Sequence, residues 1–155
     1  MKRIIKLVLS LICIFGLVGC GDNSISEVKI DYGNSALYSE EDMNAAILLI
    51  KDTFSAWSNE EYRKALEGSG RKTVILMGIE THICVEQTAL DLMEEGYTVF
   101  VPADCVQSRN PVNREISLRR MEEAGAVITC SESILYELMG SSKAAEFKAI
   151  SAIIK

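Results

Sequence analysis

Residues 73–85 read T-V-I-L-M-G-I-E-T-H-I-C-V, and this stretch decides the fold class. Its first five residues form a continuous apolar and β-branched run, which is typical of a strand buried on both faces of a parallel sheet. Gly78 follows and favours a tight turn. From Cys84 to Glu95 the apolar residues recur with helical spacing, and Gly96 is suited to end that helix. Strand, turn and helix in this order predict the first half of a βαβ unit.

The same alternation continues toward the C-terminus. Further strands are predicted at residues 97–101 and 126–129, and further helices at residues 111–124, 131–139 and 147–154. Short strands that alternate with helices predict an α/β fold, an incomplete doubly wound, Rossmann-like parallel sheet of about three strands with flanking helices. Ligands bind such sheets at the carboxyl ends of the strands. This rule places residues 78–84 and 104–110 beside any active site.

The apolar faces of the other helices follow from the same periodicity. A helix is predicted to begin after Ser39, with Met43, Ala46, Ile47, Ile50 and Phe54 on its apolar face. The sequence Ser58-Asn59-Glu60-Glu61 predicts a capping box that opens a short helix. For the helix at residues 111–124, the predicted apolar side chains are Ile116, Leu118, Met121 and Ala124.

Composition restricts the class of protein. The chain has 155 residues, 48% of them apolar and 25% charged, which is the range of globular domains. Its net charge is −6 and its basic residues are scattered. Because phosphate binding relies on clustered Lys and Arg, we expect no nucleic-acid partner.

The N-terminus has the pattern of a bacterial lipoprotein leader. A basic start and an apolar stretch end in L-V-G-C at residues 17–20, which resembles a lipobox with Cys20 as the lipidated residue. We therefore predict a signal peptide at residues 1–20, a lipoprotein-like linker at residues 21–50 and a partial enzyme domain at residues 51–155. If the leader is used, the protein is anchored to the cell membrane outside the cytoplasm. The odd number of cysteines beyond the leader is instead typical of a reduced, cytoplasmic domain.

Cys84 is the candidate nucleophile. A strand and a tight turn deliver it to the first turn of a helix, where unpaired N–H groups and the helix dipole stabilise a thiolate and can bind an oxyanion. The alternative is that Cys84 is a small buried apolar residue, as isolated cysteines often are.

Several segments resemble the isochorismatase-like hydrolase family, which includes nicotinamidases and carbamoyl-amide hydrolases. They are G-I-E-T-H-I-C-V at 78–85, T-A-L-D-L at 88–92, G-Y-T-V-F-V-P-A-D at 96–104, S-R-N-P-V-N-R at 108–114, and A-G-A-V-I-T with S-E-S-I-L-Y-E-L behind it. The resemblance runs from Lys51 to the C-terminus and implies the family's three-layer fold.

The resemblance also implies site residues. In the family the motif Cys is the nucleophile, a cis peptide precedes the third motif residue, here Ile79–Glu80, and the N–H groups of Glu80 and Cys84 form the oxyanion hole. It implies hydrolysis of a small amide C–N bond through a thioester, with no cofactor. The family's catalytic Lys lies in a K-x-x-F-S pattern that Lys51 matches, although Lys51 is also readable as a solvated helix residue.

The family's third catalytic residue, an Asp at the end of the first strand, has no good match. Asp31 is the nearest candidate, but the apolar run, the following Gln and the distance from Lys51 are missing. The metal ligands of nicotinamidases are not matched either, so we expect no metal. About half of a family domain is therefore unaccounted for, and we expect impaired catalysis.

Two alternatives to an amide hydrolase remain open. One is a non-catalytic, membrane-anchored lipoprotein, and the other is an inactive fusion product with its junction near residues 53–57. We also expect self-association, because the strand at residues 73–77 lacks the neighbour that the doubly wound order gives it, and an unpaired strand edge favours pairing between chains.

Overall fold

The computed structural model of the chain describes residues 51–154. The signal peptide, the linker, Cys20, Asp31 and the start of the helix predicted after Ser39 lie outside the described residues. Between residues 51 and 154, no helix is long and apolar enough to cross a membrane.

The described elements alternate between helices and strands. The helices are α1 (Glu60–Gly68), α2 (Glu86–Glu94), α3 (Pro111–Glu123), α4 (Ser131–Met139) and α5 (Phe147–Ile153). The strands are β1 (Thr73–Ile75), β2 (Gly78–Ile79), β3 (Thr98–Pro102), β4 (Val106–Gln107) and β5 (Val127–Thr129). A π-helical turn (Thr81–Val85) precedes α2, and a 3-10 turn (Ala103–Cys105) precedes β4.

The strands form parallel sheets, which confirms the predicted α/β fold class. The main sheet has the order β1-β3-β5, with Val74 beside Val99 and Val101 beside Ile128. The two-residue strands β2 and β4 were not predicted from the sequence and form a second parallel pair. Within the described part of the chain, β1 pairs with β3 alone, so its other edge is unpaired there.

One face of the main sheet carries the hydrophobic core. Successive side chains of a strand point to opposite faces, and Val74, Val99 and Val101 share the fully buried face. Leu92 of α2 and Met121 of α3 pack in the same core, as expected when right-handed crossovers place consecutive helices on one side of a sheet.

The opposite face of the main sheet is less covered. Ile75 and Phe100 are only partly buried, and Val127 is 39% exposed. These three side chains are neighbours across the sheet, because Ile75 pairs in register with Phe100 and Phe100 with Val127. The described residues therefore form one well-packed layer and one half-open apolar face.

The predicted upstream helix does not extend through Phe54. Residues 52–56 form bends, and Phe54 is 63% exposed rather than on a buried helix face. The Lys51 ammonium group donates to the carbonyl oxygens of Thr53, at 2.6 Å, and of Phe54, at 2.9 Å. These contacts stabilise a compact loop in place of a helical turn, so tertiary and local hydrogen bonds override the helical spacing of the apolar residues.

Two smaller predictions also need correction. The N-cap of α1 is Asn59, whose side chain accepts from the Tyr62 N–H at 2.9 Å, rather than Ser58. In α3, Ile116 is 57% exposed, whereas Ser117 is buried and donates to the Thr81 carbonyl at 3.0 Å. The buried face of α3 is therefore rotated toward a polar contact that the apolar pattern does not reveal.

Candidate active site

The segment between β1 and α2 is a sharp turn that leads into a helix. Gly78 has a φ of 128°, which favours glycine, and the peptide bond between Ile79 and Glu80 is cis. The helical segment begins at Thr81, three residues earlier than predicted, with a π-helical turn that contains Cys84. Single π-helical turns are frequent at functional sites.

Neighbouring backbone groups fix the position of Cys84. The N–H groups of Ile83 and Val85 both donate to the Glu80 carbonyl, at 3.1 and 3.2 Å, and the Thr88 hydroxyl donates to the Cys84 carbonyl at 2.6 Å. Val85 is fully buried, whereas Cys84 is a free thiol of intermediate exposure. Cys84 is therefore held by hydrogen bonds of its neighbouring backbone groups, and the residue is only partly buried.

The Lys51 loop packs against the helix that carries Cys84. The N–H of Ala56 donates to the Thr88 hydroxyl oxygen at 2.9 Å, and the Ser55 hydroxyl donates to the Asp91 carboxylate at 2.5 Å. Because the Thr88 hydroxyl also bonds the Cys84 carbonyl, the hydrogen-bond network connects the Lys51 loop to the Cys84 turn. The Lys51 ammonium group itself is held by loop carbonyl oxygens.

A polar cluster joins the cis turn to the loop after β4. The Arg109 N–H donates to the Glu80 carboxylate at 3.0 Å. His82 Nδ1 lies 3.0 Å from the Ser108 hydroxyl and 3.6 Å from the same Glu80 carboxylate. Sequence reasoning assigned no role to His82 or Ser108. Both lie in recognisable motifs, but their contact joins residues 26 positions apart and no local pattern signals it.

The S-R-N-P-V-N-R segment holds the rest of this loop in place. Asn110 caps α3 by accepting from the Val112 N–H at 3.0 Å, and Pro111 occupies the first turn, where its missing N–H costs nothing. The Arg114 guanidinium group donates to the Val106 carbonyl at 3.0 Å and to the Ala103 carbonyl. This segment therefore has a structural role that fixes the loop facing Glu80.

Replacing Arg114 tests that structural role. We expect Arg114→Ala to lower the free energy of unfolding by about 2–3 kcal/mol, because it leaves two carbonyl oxygens without their charged donor. Urea denaturation of the full-length chain measures the change. Arg119→Ala, on an exposed position of the same helix, is the matched control and should shift stability by less than about 0.5 kcal/mol. Equal effects of the two substitutions would contradict this assignment.

The other two described cysteines are less suited to act as nucleophiles. Burial raises the pKa of the Cys105 thiol, and the neighbouring Asp104 carboxylate raises it further, so this thiol stays protonated. Cys130 is exposed, forms the one-residue link between β5 and α4, and has its sulfur 3.1 Å from the Ser133 hydroxyl.

Asp104 is part of a structural contact rather than of a metal site. The Ser131 hydroxyl and N–H donate to its carboxylate at 2.5 and 2.8 Å, and these hydrogen bonds hold the Asp104 pKa below its ordinary value. The stability that this contact adds is present near neutral pH and is lost as the pH falls through the lowered pKa. Across residues 51–154, no three His, Cys, Asp or Glu side chains are grouped closely enough to hold a metal ion.

Comparison with known proteins agrees with these features. The isochorismatase domain model matches residues 28–133, which begins upstream of Lys51 and includes the cis turn and Cys84. The chain is 41% identical over 117 residues to isochorismatase domain-containing protein 1 of Salmo salar, a match that covers 75% of this chain and 41% of that protein. The chain spans about half the length of the curated relatives it matches, or less.

Solved structures share the fold. The MAR1 ribonuclease structure from Caenorhabditis elegans matches with a TM-score of 0.61 and 38% identity, over 67% of this chain and 53% of that one. YcaC from Pseudomonas aeruginosa, solved with hexane-2,5-diol and covalent acrylamide, matches with a TM-score of 0.61 and 35% identity, over 64% of this chain and 50% of that one. The chain therefore belongs to the isochorismatase domain family.

Proposed function

We propose that the protein is a cysteine hydrolase that cleaves the C–N bond of a small amide, with Cys84 as the nucleophile. The observation that carries the proposal is the placement of Cys84. A partly exposed Cys84 lies in the first turn of the helical segment that follows the sharp turn at Gly78, on a backbone held by Thr88 and Glu80. A helix N-terminus stabilises a thiolate, and thiolates are the nucleophiles of cysteine hydrolases.

The chemistry proceeds in two steps. In the first, the Cys84 thiol loses its proton and the thiolate attacks the amide carbonyl carbon. The tetrahedral intermediate then expels the nitrogen, which takes up the proton that the thiol released and leaves as ammonia or an amine. In the second, water attacks the resulting thioester, releases the carboxylic acid and regenerates the thiol. No oxidant or reductant is consumed.

Backbone N–H groups supply the electrostatic stabilisation in this proposal. The N–H of Cys84 lies in sequence between those of Ile83 and Val85, which are both committed to the Glu80 carbonyl. We assign the Cys84 N–H and the Glu80 N–H to the substrate oxygen, where charge develops in the transition state. Donors fixed in advance at such a position contribute a large part of the rate enhancement of acyl-transfer enzymes.

Lys51 stabilises the negative charge of the thiolate and the intermediate in this proposal. Its loop is tied to the Cys84 helix through Ala56 and Thr88. Asp31 is the nearest candidate for the remaining family residue. Because it matches the family pattern poorly, we propose that turnover is impaired while attack by the thiol is retained.

Trapping the acyl-enzyme tests the proposal. Hydroxylamine intercepts a thioester and gives a hydroxamate, which is detected as its ferric complex. Acetamide, benzamide and nicotinamide serve as substrates, with released ammonia measured in parallel. We expect hydroxamate and ammonia from at least one amide with the full-length chain. Ammonia without hydroxamate would contradict the thioester route, and neither product from any amide would refute the proposed reaction.

Ribonucleolytic activity is the second candidate, because one solved relative is described as the MAR1 ribonuclease. The net charge of −6 opposes it, since RNA binding relies on clustered basic residues. We therefore propose that RNA is not a substrate. Cleavage of a labelled single-stranded RNA that disappears in Cys84→Ala would overturn this choice.

Two further proposals concern the surroundings of the enzyme. We propose self-association through the edge of β1 that has no partner strand among residues 51–154, and through the half-open face at Ile75, Phe100 and Val127. Analytical ultracentrifugation should give more than one chain per particle, and a monomer at micromolar concentration would contradict it.

We also propose that the leader anchors the chain through a lipid on Cys20. Loss of palmitate labelling in Cys20→Ala is expected, and an unlabelled wild-type chain would contradict it.

A further inference from the structure

His82 is the only histidine of the chain, and it lies two residues before Cys84. Its side chain is 19% exposed, and its Nδ1 is 3.0 Å from the hydroxyl of Ser108, which is 4% exposed. The contact therefore joins the turn before the candidate nucleophile to the loop that follows β4, in a place that is largely shielded from water.

The backbone pairing between these two segments is short. Only Gly78 with Val106 and Ile79 with Gln107 are paired in the β2–β4 ladder. Beyond this ladder, side chains connect the two segments. The Arg109 N–H donates to the Glu80 carboxylate, and His82 contacts Ser108. The Gln107 side chain also stabilises the loop, because its amide oxygen Oε1 accepts from the Ser108 N–H at 3.0 Å.

The cluster resembles a Ser-His-Glu triad in composition but not in geometry. In a triad the two ring nitrogens of the histidine contact different partners, so that a proton passes from the hydroxyl to the ring while the carboxylate holds the other side. Here Ser108 and Glu80 both approach the same nitrogen, Nδ1. We assign the ring proton to Nδ1, because the nearby Glu80 carboxylate favours it there, and in this assignment Nδ1 donates to the Ser108 oxygen. The arrangement suits positioning rather than activation of the serine.

We propose that His82 and Ser108 form a positioning pair that holds the cis turn at Glu80 against the 106–109 loop. This pair keeps the Glu80 and Cys84 N–H groups aimed at a bound carbonyl oxygen. The inference rests on the proposed function for its catalytic consequence, whereas the positioning itself is a property of the folded chain. Small displacements of such donors weaken the binding of a developing oxyanion, so loss of the pair should affect carbonyl compounds in particular.

Two readouts on the full-length chain test the pair. The first is hydrogen–deuterium exchange of residues 78–85. The second is the rate of acrylamide addition to Cys84 divided by that of acrylonitrile, with Cys130 of the same molecule as the internal reference and adducts assigned by peptide mass spectrometry. Acrylonitrile offers the same reactive carbon–carbon double bond without a carbonyl oxygen, so the ratio reports on carbonyl binding alone.

The variants separate the hydrogen bond from the bulk of the side chain. His82→Leu removes the Nδ1 donor, whereas His82→Asn keeps an N–H at nearly the same position. Ser108→Ala removes the partner, and Ser142→Ala on an exposed loop position is its control. We expect His82→Leu and Ser108→Ala to speed exchange and to lower the Cys84 ratio by about tenfold, the loss of roughly one hydrogen bond. His82→Asn should recover most of the ratio.

Each outcome decides the inference. Unchanged exchange in His82→Leu and Ser108→Ala overturns it, whatever Cys84 does. Faster exchange with an unchanged ratio also overturns it, because the pair is then structural without positioning the N–H groups. If the acrylamide-to-acrylonitrile ratio of the wild-type chain is no higher at Cys84 than at Cys130, the proposed function is refuted instead. The exchange rates alone then show whether His82 and Ser108 hold the turn in place.

Discussion

Replacing Cys84 with alanine is expected to abolish amide turnover. The proposed reaction has no other nucleophile, so the rate of ammonia release should fall by at least about 10³-fold, to the uncatalysed background. Cys84→Ser is expected to fall nearly as far, because among residues 51–154 no general base that could activate a serine hydroxyl contacts the side chain of residue 84. Coupled detection of ammonia, with the amide identified by the hydroxamate assay, measures both.

Cys105→Ala and Cys130→Ala are the matched controls for this experiment. Both remove a free thiol from a segment that follows the carboxyl end of a strand, β3 for Cys105 and β5 for Cys130. Both should keep the wild-type rate to within about twofold if Cys84 acts alone. Activity that survives in Cys84→Ala but disappears in Cys105→Ala would assign the reaction to a different thiol and contradict the proposed site.

Leu92→Ala is expected to have the largest effect on stability. Leu92 lies on α2 and is fully buried in the core together with Val74 and Val99. Truncation of a buried leucine leaves a cavity and costs about 2–5 kcal/mol. A domain with one well-packed face has a small free energy of unfolding. We therefore expect this variant to be unfolded already at 37 °C. Circular dichroism during thermal denaturation measures the loss.

Ile116→Ala is the control that makes the Leu92 result interpretable. Ile116 is also a large apolar residue on a helix, but it is 57% exposed. Its truncation should change the free energy of unfolding by less than about 0.5 kcal/mol. A large loss of stability in Ile116→Ala would show that the exposed face of α3 is covered in solution, and a small loss in Leu92→Ala would contradict the core described above.

The strands and helices of the βαβ repeat could be predicted from sequence because their signals are local. Continuous apolar runs placed β1, β3 and β5 to within two residues, and the helix predicted at residues 131–139 matches the bounds of α4. The two-residue strands β2 and β4 escaped because two residues carry no periodicity. The α3 face was misassigned at Ile116 because the buried contact there is a serine hydroxyl bound to the Thr81 carbonyl.

The candidate site was predictable only in part. Cys84 stood out because a strand, a glycine turn and a helix start converge on it. The roles of His82, Ser108 and Arg114 depend on contacts between segments that are distant along the chain, and residue type alone does not specify those contacts. At Lys51 the sequence signal was clear but misleading. The apolar residues around it have helical spacing, but the Lys51 ammonium group bonds the carbonyl oxygens of Thr53 and Phe54 and closes a loop instead.

The central claim is that the turn before α2 makes Cys84 a primed nucleophile. Competitive alkylation of the full-length chain by limiting iodoacetamide, read at each cysteine by peptide mass spectrometry, tests it most directly. Cys130 is a stringent reference, because it is more exposed than Cys84 and is itself the N-cap of α4. We predict that Cys84 reacts faster than Cys130 in the native chain and at the same rate in guanidinium chloride. A Cys84 that reacts no faster than Cys130 in the native chain would contradict the claim.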